Sequence, residues 1–263
     1  MRENSLCNVI RSGNTAVNAW ISTDSSYSAE VLANTGFDSV TIDAQHGMFG
    51  PDTVVKLLQA VSASPATPMV RPTSVNLAEI GWLLDAGAYG IIAPSVDSPE
   101  LARELVDACF YPPLGRRSFG PSRGLLYGGS DYATEANHTI VPWAMIESGD
   151  AVEQMDAIMS TPGLYGVYLG PNDLALDLGF KAGGDIAGPV ADIAHRIVER
   201  AHRHGLAAGL FCSGAEEATK WADAGFDLVT PGNDVSMLRS AATQRIAAIR
   251  DPAKTLTATT GGY

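Results

Sequence analysis

Short apolar runs recur along the chain, and several are entered through the same punctuation: a helix end, a small residue, a glycine, then a hydrophobic strand. The pattern appears in ANTGFDSVTI (Ala33–Ile42), LDAGAYGII (Leu84–Ile92), TPGLYGVYL (Thr161–Leu169) and ADAGFDLVT (Ala222–Thr230). The glycine takes the position just past the helix, where a positive φ is needed. Each strand that follows reads as short and apolar on both faces, as in a buried parallel sheet. On this pattern strands are predicted near Ala16–Ile21, Ser39–Ile42, Pro68–Val70, Gly90–Pro94, Pro142–Ile146, Gly166–Leu169, Ala207–Phe211 and Leu228–Thr230.

Helical periodicity fills the intervals. Gly50-Pro51 opens a helix with Val54, Leu57, Leu58 and Val61 on one face. Asn76-Leu77-Ala78-Glu79 reads as a capping box, and Ser98-Pro99-Glu100 starts another helix. Val190, Ile193, Ala194, Ile197, Val198 and Ala201 form a stripe ending near Gly205. Ser213-Gly214-Ala215-Glu216 caps a further helix, and the last runs from about Asp234 to Ile249. Strands alternating with helices at this length predict an α/β fold, a single-domain (β/α)₈ barrel over residues 1–250, with a polar tail over 251–263. An open doubly wound sheet is the competing architecture, and no GxGxxG or Walker pattern supports it. Tyr111–Asn137 breaks the rhythm and reads as a long irregular segment rich in glycine and aromatics, of the kind that is functional or at an interface.

Composition narrows the function. The chain has 263 residues, 46% of them hydrophobic, and a formal net charge of −12. Such acidity argues against nucleic-acid and anionic-membrane partners, and an anionic substrate would need a local positive site. No apolar run approaches the roughly 20 residues of a membrane span, and the N-terminus lacks a secretory apolar segment. Cys7, Cys109 and Cys212 fit neither a disulfide framework nor a zinc site, which points to reduced thiols in a cytoplasmic protein.

In a barrel, polar residues at the C-terminal ends of strands converge on one face. VTID, PMVR and WAMIE each end an apolar run on a charge: Asp43, Arg71 and Glu147. His46 follows Asp43 on a tight turn, and Asp173 follows Gly170-Pro171-Asn172. A charge in such a position is paired or functional, since burying it alone costs several kcal/mol. Arg71 would either neutralise Asp43 or Glu147 or act on substrate. Glu147 and Asp173, two carboxylates without a cysteine or histidine at ligand spacing, favour a hard cation such as Mg²⁺ or Mn²⁺. Such an ion chelates a 2-oxo acid and stabilises its enolate, and Arg71 would donate to the same keto oxygen. His46 suits proton transfer near neutral pH. Trp20 would line the pocket floor or pack in the core, and Arg123 would tie a loop to a carboxylate or anchor an acidic aldehyde. His138, His195, His202 and His204 read as solvated or capping residues.

At this set the chain resembles the HpcH/HpaI aldolases, the metal-dependent class II pyruvate aldolases, from about Trp20 to about Arg250. The matching segments are SSYSAEVLANTGFDSVTIDAQHG, VRP, LLDAGAYGIIAPSV, YPPLGRRSFGPSR, MIES and GVYLGPNDLALDLG. The resemblance implies a (β/α)₈ barrel that cleaves 4-hydroxy-2-oxo acids to pyruvate or a related 2-oxo acid and an aldehyde. Glu147 and Asp173 would hold Mg²⁺, Mn²⁺ or Co²⁺. Arg71 would steady the enolate, and His46 would act as acid and base. Asp43 and Asp85 would orient His46 and its water, and backbone amides of Gly170, Pro171, Asn172 and Asp173 would receive the substrate carboxylate (Pro171 itself contributes only the turn). It also implies a homohexamer built as a dimer of trimers, with the C-terminal helix packed on a neighbouring subunit. Met145 stands where some members carry glutamine, and the Arg116–Asp131 segment is richer in glycine than in the bacterial catabolic aldolases. Oxaloacetate decarboxylation with macrophomate synthase-like transfer of the enolate is the alternative chemistry. A non-catalytic acid-binding barrel and a CoA-thioester lyase are more remote ones.

Overall fold

The computed structural model describes residues 1–250, so the expected polar tail, 251–263, lies outside the described residues. Eight parallel strands close into one barrel in sequence order, each paired with its chain neighbour and the last with the first. They are β1 (Ala16–Ile21), β2 (Ser39–Asp43), β3 (Thr67–Arg71), β4 (Gly90–Ala93), β5 (Val141–Ile146), β6 (Gly166–Leu169), β7 (Ala207–Phe211) and β8 (Leu228–Thr230). All eight expected strands are present, with ends displaced by one residue or not at all. β2 and β3 extend to include their terminal charges, Asp43 and Arg71, which pair directly in register. The recurrent glycines behave as the pattern requires: Gly36, Gly87, Gly163 and Gly225 have φ of 105°, 110°, 92° and 101°.

The helices wrap the barrel with their apolar stripes inward. Helix Gly188–Arg203 buries Val190, Ile193, Ala194, Ile197, Val198 and Ala201, as its periodicity predicts. A fully buried isoleucine on such a stripe contributes about 1.5–3 kcal/mol. Cap chemistry departs from expectation in two places. Asn76 accepts from the amides of Ala78 and Glu79, but Glu79 does not reach back to it. Glu79 instead accepts from the backbone N–H and hydroxyl of Thr73, pinning the loop after β3. Ser213 does not cap helix Ala215–Asp223; Glu217 reaches back to accept from the Ser213 amide at 2.7 Å and from the Ile186 amide.

Two further differences concern segments without strong periodicity. The stretch expected to be irregular contains helices Ser122–Gly128 and Tyr132–Thr139. Each is too short to show a repeating apolar face, and Tyr132 anchors the second by full burial. Helix Ser5–Arg11 was not expected either. It plugs the N-terminal floor of the barrel, where Leu6 and Cys7 pack among Ala16, Met69, Val141 and Trp143.

Inside the barrel the strands are not apolar on both faces. The inward positions alternate along each strand, and they form an apolar layer at the floor and a polar layer at mid-height. Asn18 Oδ1 accepts from Ser39 at 2.8 Å and Thr41 at 3.0 Å, and its Nδ2 donates to Thr230 at 2.9 Å. Tyr168 closes the set with a 2.6 Å bond to Thr230. A satisfied buried network of this kind is rigid, and one step further along the same inward rows lie Trp20, Asp43 and Arg71.

Candidate active site

The alternation that builds the polar layer also aims the mouth residues. On β5 the inward positions are Trp143 and Met145, and Glu147 continues the row two residues later. On β2 the row Ser39, Thr41, Asp43 ends on a carboxylate, and on β3 Met69 is followed by Arg71. Asp43, Arg71 and Met145 from these rows line a cavity of about 370 Å³ at the C-terminal end of the barrel, and Glu147 lies behind its wall against Gly170. Its lining includes Trp20, Asp43, His46, Arg71, Met145, Tyr168 and the run Gly170–Asp173.

Asp43 and Arg71 form a two-pronged ion pair: Arg71 Nε donates to Oδ1 at 2.9 Å and Nη2 to Oδ2 at 2.6 Å. Trp20 Nε1 donates to the same Oδ2 at 3.1 Å, and the Trp20 ring lies 4.9 Å beneath the guanidinium carbon. Trp20 therefore both packs, stacked against Tyr168 and edge-on to Phe211, and lines the cavity. Burial alone would push the Asp43 carboxyl up, but the Arg71 guanidinium outweighs it with help from the His46 amide and Trp20, and the group stays below the ordinary carboxylate value. Arg71 Nη1 has no partner among the described residues, so one edge of the guanidinium remains to meet a ligand.

His46 stands exposed at the cavity rim, and only its backbone is held, by a 3.1 Å bond from its amide to Asp43 Oδ1. The expectation that Asp43 orients the imidazole therefore needs correction: Asp43 shapes the turn that carries His46, while its oxygens are taken by Arg71 and Trp20. Asp85 is a second correction. It ends helix Leu77–Asp85, five residues before β4 begins, and so sits toward the opposite end of the barrel from the mouth. There it pairs with Arg117 at 2.7 Å and does not orient His46 within its own chain. Arg123 ties a backbone carbonyl and a hydroxyl rather than a carboxylate, donating to the carbonyl of Ala86 at 2.6 Å and to Ser62 Oγ at 2.9 Å. His202 and His204 bond Asp227 and Asp156 at the end of their helix, His195 packs on Trp221, and His138 is exposed.

Glu147 is 7% exposed, and its two oxygens have different surroundings. Oε1 accepts the Ser95 amide at 2.6 Å, whereas Oε2 is buried with no protein partner. Burial, reinforced by the nearby Asp173 charge, holds the carboxyl above its ordinary value against the pull of the Ser95 amide and Arg71. The space beside Oε2 exists because residue 170 is glycine: a Cβ there would stand 2.4 Å from Oε2. Gly170 leads into helix Pro171–Asp177, whose first-turn amides of Asn172 and Asp173 have no acceptor within the helix. Among the described residues no group of three histidine, cysteine or acidic side chains gathers at metal-binding distance. A cation held here would rest on Glu147 and Asp173, with substrate or solvent completing its shell. An orphaned buried carboxylate oxygen, a glycine cradle and a second carboxylate nearby fit a hard divalent cation.

Several contributors escaped the sequence reading. Ser95 has φ 53°, the one positive φ at a non-glycine among the described residues, and this bend aims its amide at Glu147. Ser22, Tyr168, Phe211 and Asn233 complete the lining. Tyr168 and Phe211 lie on β6 and β7, Ser22 follows β1 and Asn233 follows β8, and no charge ends any of these strands.

A family model described as HpcH/HpaI aldolase/citrate lyase matches residues 17–241. A curated relative, the hydroxypyruvate/pyruvate aldolase of Rhizorhabdus wittichii, is 44% identical over 90% of this chain and 95% of its own. The crystal structure of an HpcH/HpaI aldolase/citrate lyase family protein from Burkholderia cenocepacia has a TM-score of 0.88 and 31% identity, covering 94% of this chain and all of its own. Macrophomate synthase has a TM-score of 0.83 and 26% identity, covering 95% of this chain and 89% of its own. The chain belongs to the HpcH/HpaI aldolase/citrate lyase family and is an enzyme of its aldolase, or lyase, class.

Proposed function

We propose that the chain is a divalent-metal-dependent class II aldolase that cleaves 4-hydroxy-2-oxo acids to pyruvate, or a related 2-oxo acid, and an aldehyde. The observation that carries this reading is the partnerless Oε2 of Glu147, buried in the cradle left by Gly170, with the charges of Asp173 and Arg71 close enough to act on it. Glu147 and Asp173 would hold Mg²⁺, Mn²⁺ or Co²⁺. Bound there, the ion supplies Lewis-acid stabilisation of the enolate that C–C cleavage produces.

The chain's own groups account for the remaining steps. The amides of Asn172 and Asp173 receive the substrate carboxylate, and Arg71 Nη1 donates to the 2-oxo oxygen as negative charge develops on it. The His46 imidazole takes the proton of the C4 hydroxyl. The C3–C4 bond breaks, C4 becomes the aldehyde carbonyl, and the electron pair passes into the enolate. The same proton returns from His46 to C3, so that protons and electrons balance. Asp43 acts through Arg71 by fixing its guanidinium on the Trp20 face, which makes it a positioning residue.

The test is pyruvate release from a 4-hydroxy-2-oxo acid by Glu147→Gln and Asp173→Asn, beside the wild type with and without chelator. Release by Glu147→Gln at the wild-type rate would contradict the reading. The likeness to macrophomate synthase favours a second reading, in which the enolate arises by decarboxylation of oxaloacetate. Faster pyruvate release from oxaloacetate than from any hydroxy-oxo acid would select it. Two further properties belong to the same proposal. Helix Asp234–Arg250 exposes Leu238, Ile246 and Ile249, a face suited to a neighbouring copy in a homo-oligomer, for which we favour a hexamer built as a dimer of trimers. The three cysteines are free and buried, which suits a cytoplasmic protein.

A further inference from the structure

On an eight-strand ring, β1 stands opposite β5, so the Glu147 side of the mouth faces the ends of β1 and β8 across the cavity. A 2-oxo acid held at Glu147, Asp173 and Arg71 with its carboxylate on the β6 side would leave its aldehyde end facing that far wall, which carries Ser22 and Asn233. Both are held in fixed positions. Asn233 Oδ1 accepts the Ser236 amide at 2.9 Å, while the Asn233 amide donates to Ser236 Oγ at 3.0 Å. This reciprocal cap leaves Nδ2 as the outward donor, 3.4 Å from Ser22 Oγ. Asp234 clamps the adjoining loop by accepting the amides of Ser22 at 3.0 Å and Thr23 at 3.1 Å and the Thr23 hydroxyl at 2.6 Å. The wall therefore offers an immobilised amide donor and a hydroxyl whose own proton has no partner among the described residues.

Charge points the same way. Arg71 is the sole permanent cation among the described residues that line the cavity, and two of its nitrogens are occupied by Asp43. A second carboxylate on the aldehyde would meet dipoles rather than a cation, in a chain of formal charge −12. Lys181 lines a separate hollow of about 300 Å³ on the other side of Asn172, against the β6 side of the mouth.

We propose that Ser22 and Asn233 form the acceptor end of the site and select a short, neutral, hydroxylated aldehyde over one carrying a second carboxylate. The inference rests on the proposed aldolase reading and specifies its second substrate. Ser22 contributes a hydroxyl to the substrate's hydroxyl, and Asn233 positions and shares that bond.

The experiment measures aldol addition of pyruvate to D-glyceraldehyde, propanal and succinic semialdehyde by the metal-loaded full chain. Wild type is expected to favour glyceraldehyde over both others by about tenfold or more in kcat/KM. Ser22→Ala, which removes no strong internal bond, is expected to raise the KM for glyceraldehyde about five- to tenfold, the worth of one hydrogen bond, with little change in kcat or in the constants for propanal. Ser22→Lys is expected to raise kcat/KM for succinic semialdehyde at least tenfold. Equal use of succinic semialdehyde and glyceraldehyde by wild type, or an undiminished preference for glyceraldehyde over propanal in Ser22→Ala, would overturn the inference. So would abolition of wild-type turnover of succinic semialdehyde by Lys181→Ala, since the far end would then lie at Lys181. Exchange of pyruvate methyl protons needs no aldehyde. Its absence from wild type would overturn the aldolase reading, whereas normal exchange with the wrong acceptor preference overturns the present inference alone.

Discussion

Two arginine–aspartate pairs stand at opposite ends of this barrel, one buried on both sides and the other joining a buried arginine to a part-exposed aspartate. At the mouth, Arg71 grips Asp43 over the face of Trp20; toward the floor, Arg117 grips Asp85 over the face of Tyr111, 4.5 Å away. Their ingredients are the same, yet their prospects differ. Arg71 keeps Nη1 open to a cavity, whereas Arg117 has a fully buried side chain whose Nε and Nη1 are enclosed without partners. Burial and pairing are thus insufficient to make a site. What separates the two is an accessible donor near an unsatisfied carboxylate oxygen, which the mouth has in Glu147 Oε2 and the floor, among the described residues, lacks.

The comparison breaks most sharply under substitutions at the mouth. Glu147→Gln is expected to lower turnover by at least about 10³-fold while the protein remains folded, because the carboxylate lost would hold the cation that stabilises the enolate. Arg71→Lys is expected to cost about 10²–10³-fold in kcat, the usual price of a lost transition-state donor. Steady-state rates beside thermal melts would check both, and a melting point that fell in proportion to activity would move Arg71 into the structural class. At the floor the balance reverses. Arg117→Met removes the charged hydrogen bond to Asp85, which is exposed enough to be solvated, and is expected to destabilise by about 1.5–3 kcal/mol, read by denaturant titration, with kcat per folded molecule within about twofold of wild type.

Acid tests the mouth pair further. Because the folded-state value for Asp43 lies below the ordinary one, its pair contributes fully above the unfolded-state value near 4 and loses that contribution as pH falls through the folded-state value. Asp43→Asn is expected to flatten the acid limb of the stability profile in this window, and an unchanged limb would show that Asp43 is not so held. The smallest expected effect is at Ser95. Ser95→Gly keeps the amide that holds Glu147 and relieves a φ of 53°, so it should add about 0.5–1 kcal/mol of stability, a shift of a few degrees in Tm. A decrease would mean that the 3.4 Å contact of the Ser95 hydroxyl with Glu147 matters more than the backbone.

The sequence made the barrel legible because its rhythm is local: a glycine at each helix exit and an apolar run after it are visible within ten residues. The charged half of the site was legible for the same reason, since Asp43, Arg71 and Glu147 each interrupt an apolar run at its end. The contacts of Asp85 were not, because it ends a helix rather than a strand and its partner, Arg117, lies 32 positions later in a segment without periodicity. Ser22 and Asn233 were equally silent. A polar residue after a short strand resembles any loop residue until closure brings β8 against β1. The bend at Ser95 carries no residue-type signal, since serine stands where glycine is usual.

The most direct test of the central claim is deuterium exchange into the methyl group of pyruvate, followed by NMR on metal-stripped protein and again after adding Mg²⁺ or Mn²⁺. The account predicts that exchange is negligible after stripping, returns with the cation in wild type, and stays negligible in Glu147→Gln. Exchange that proceeds at full rate without the cation, or survives in Glu147→Gln, would contradict it.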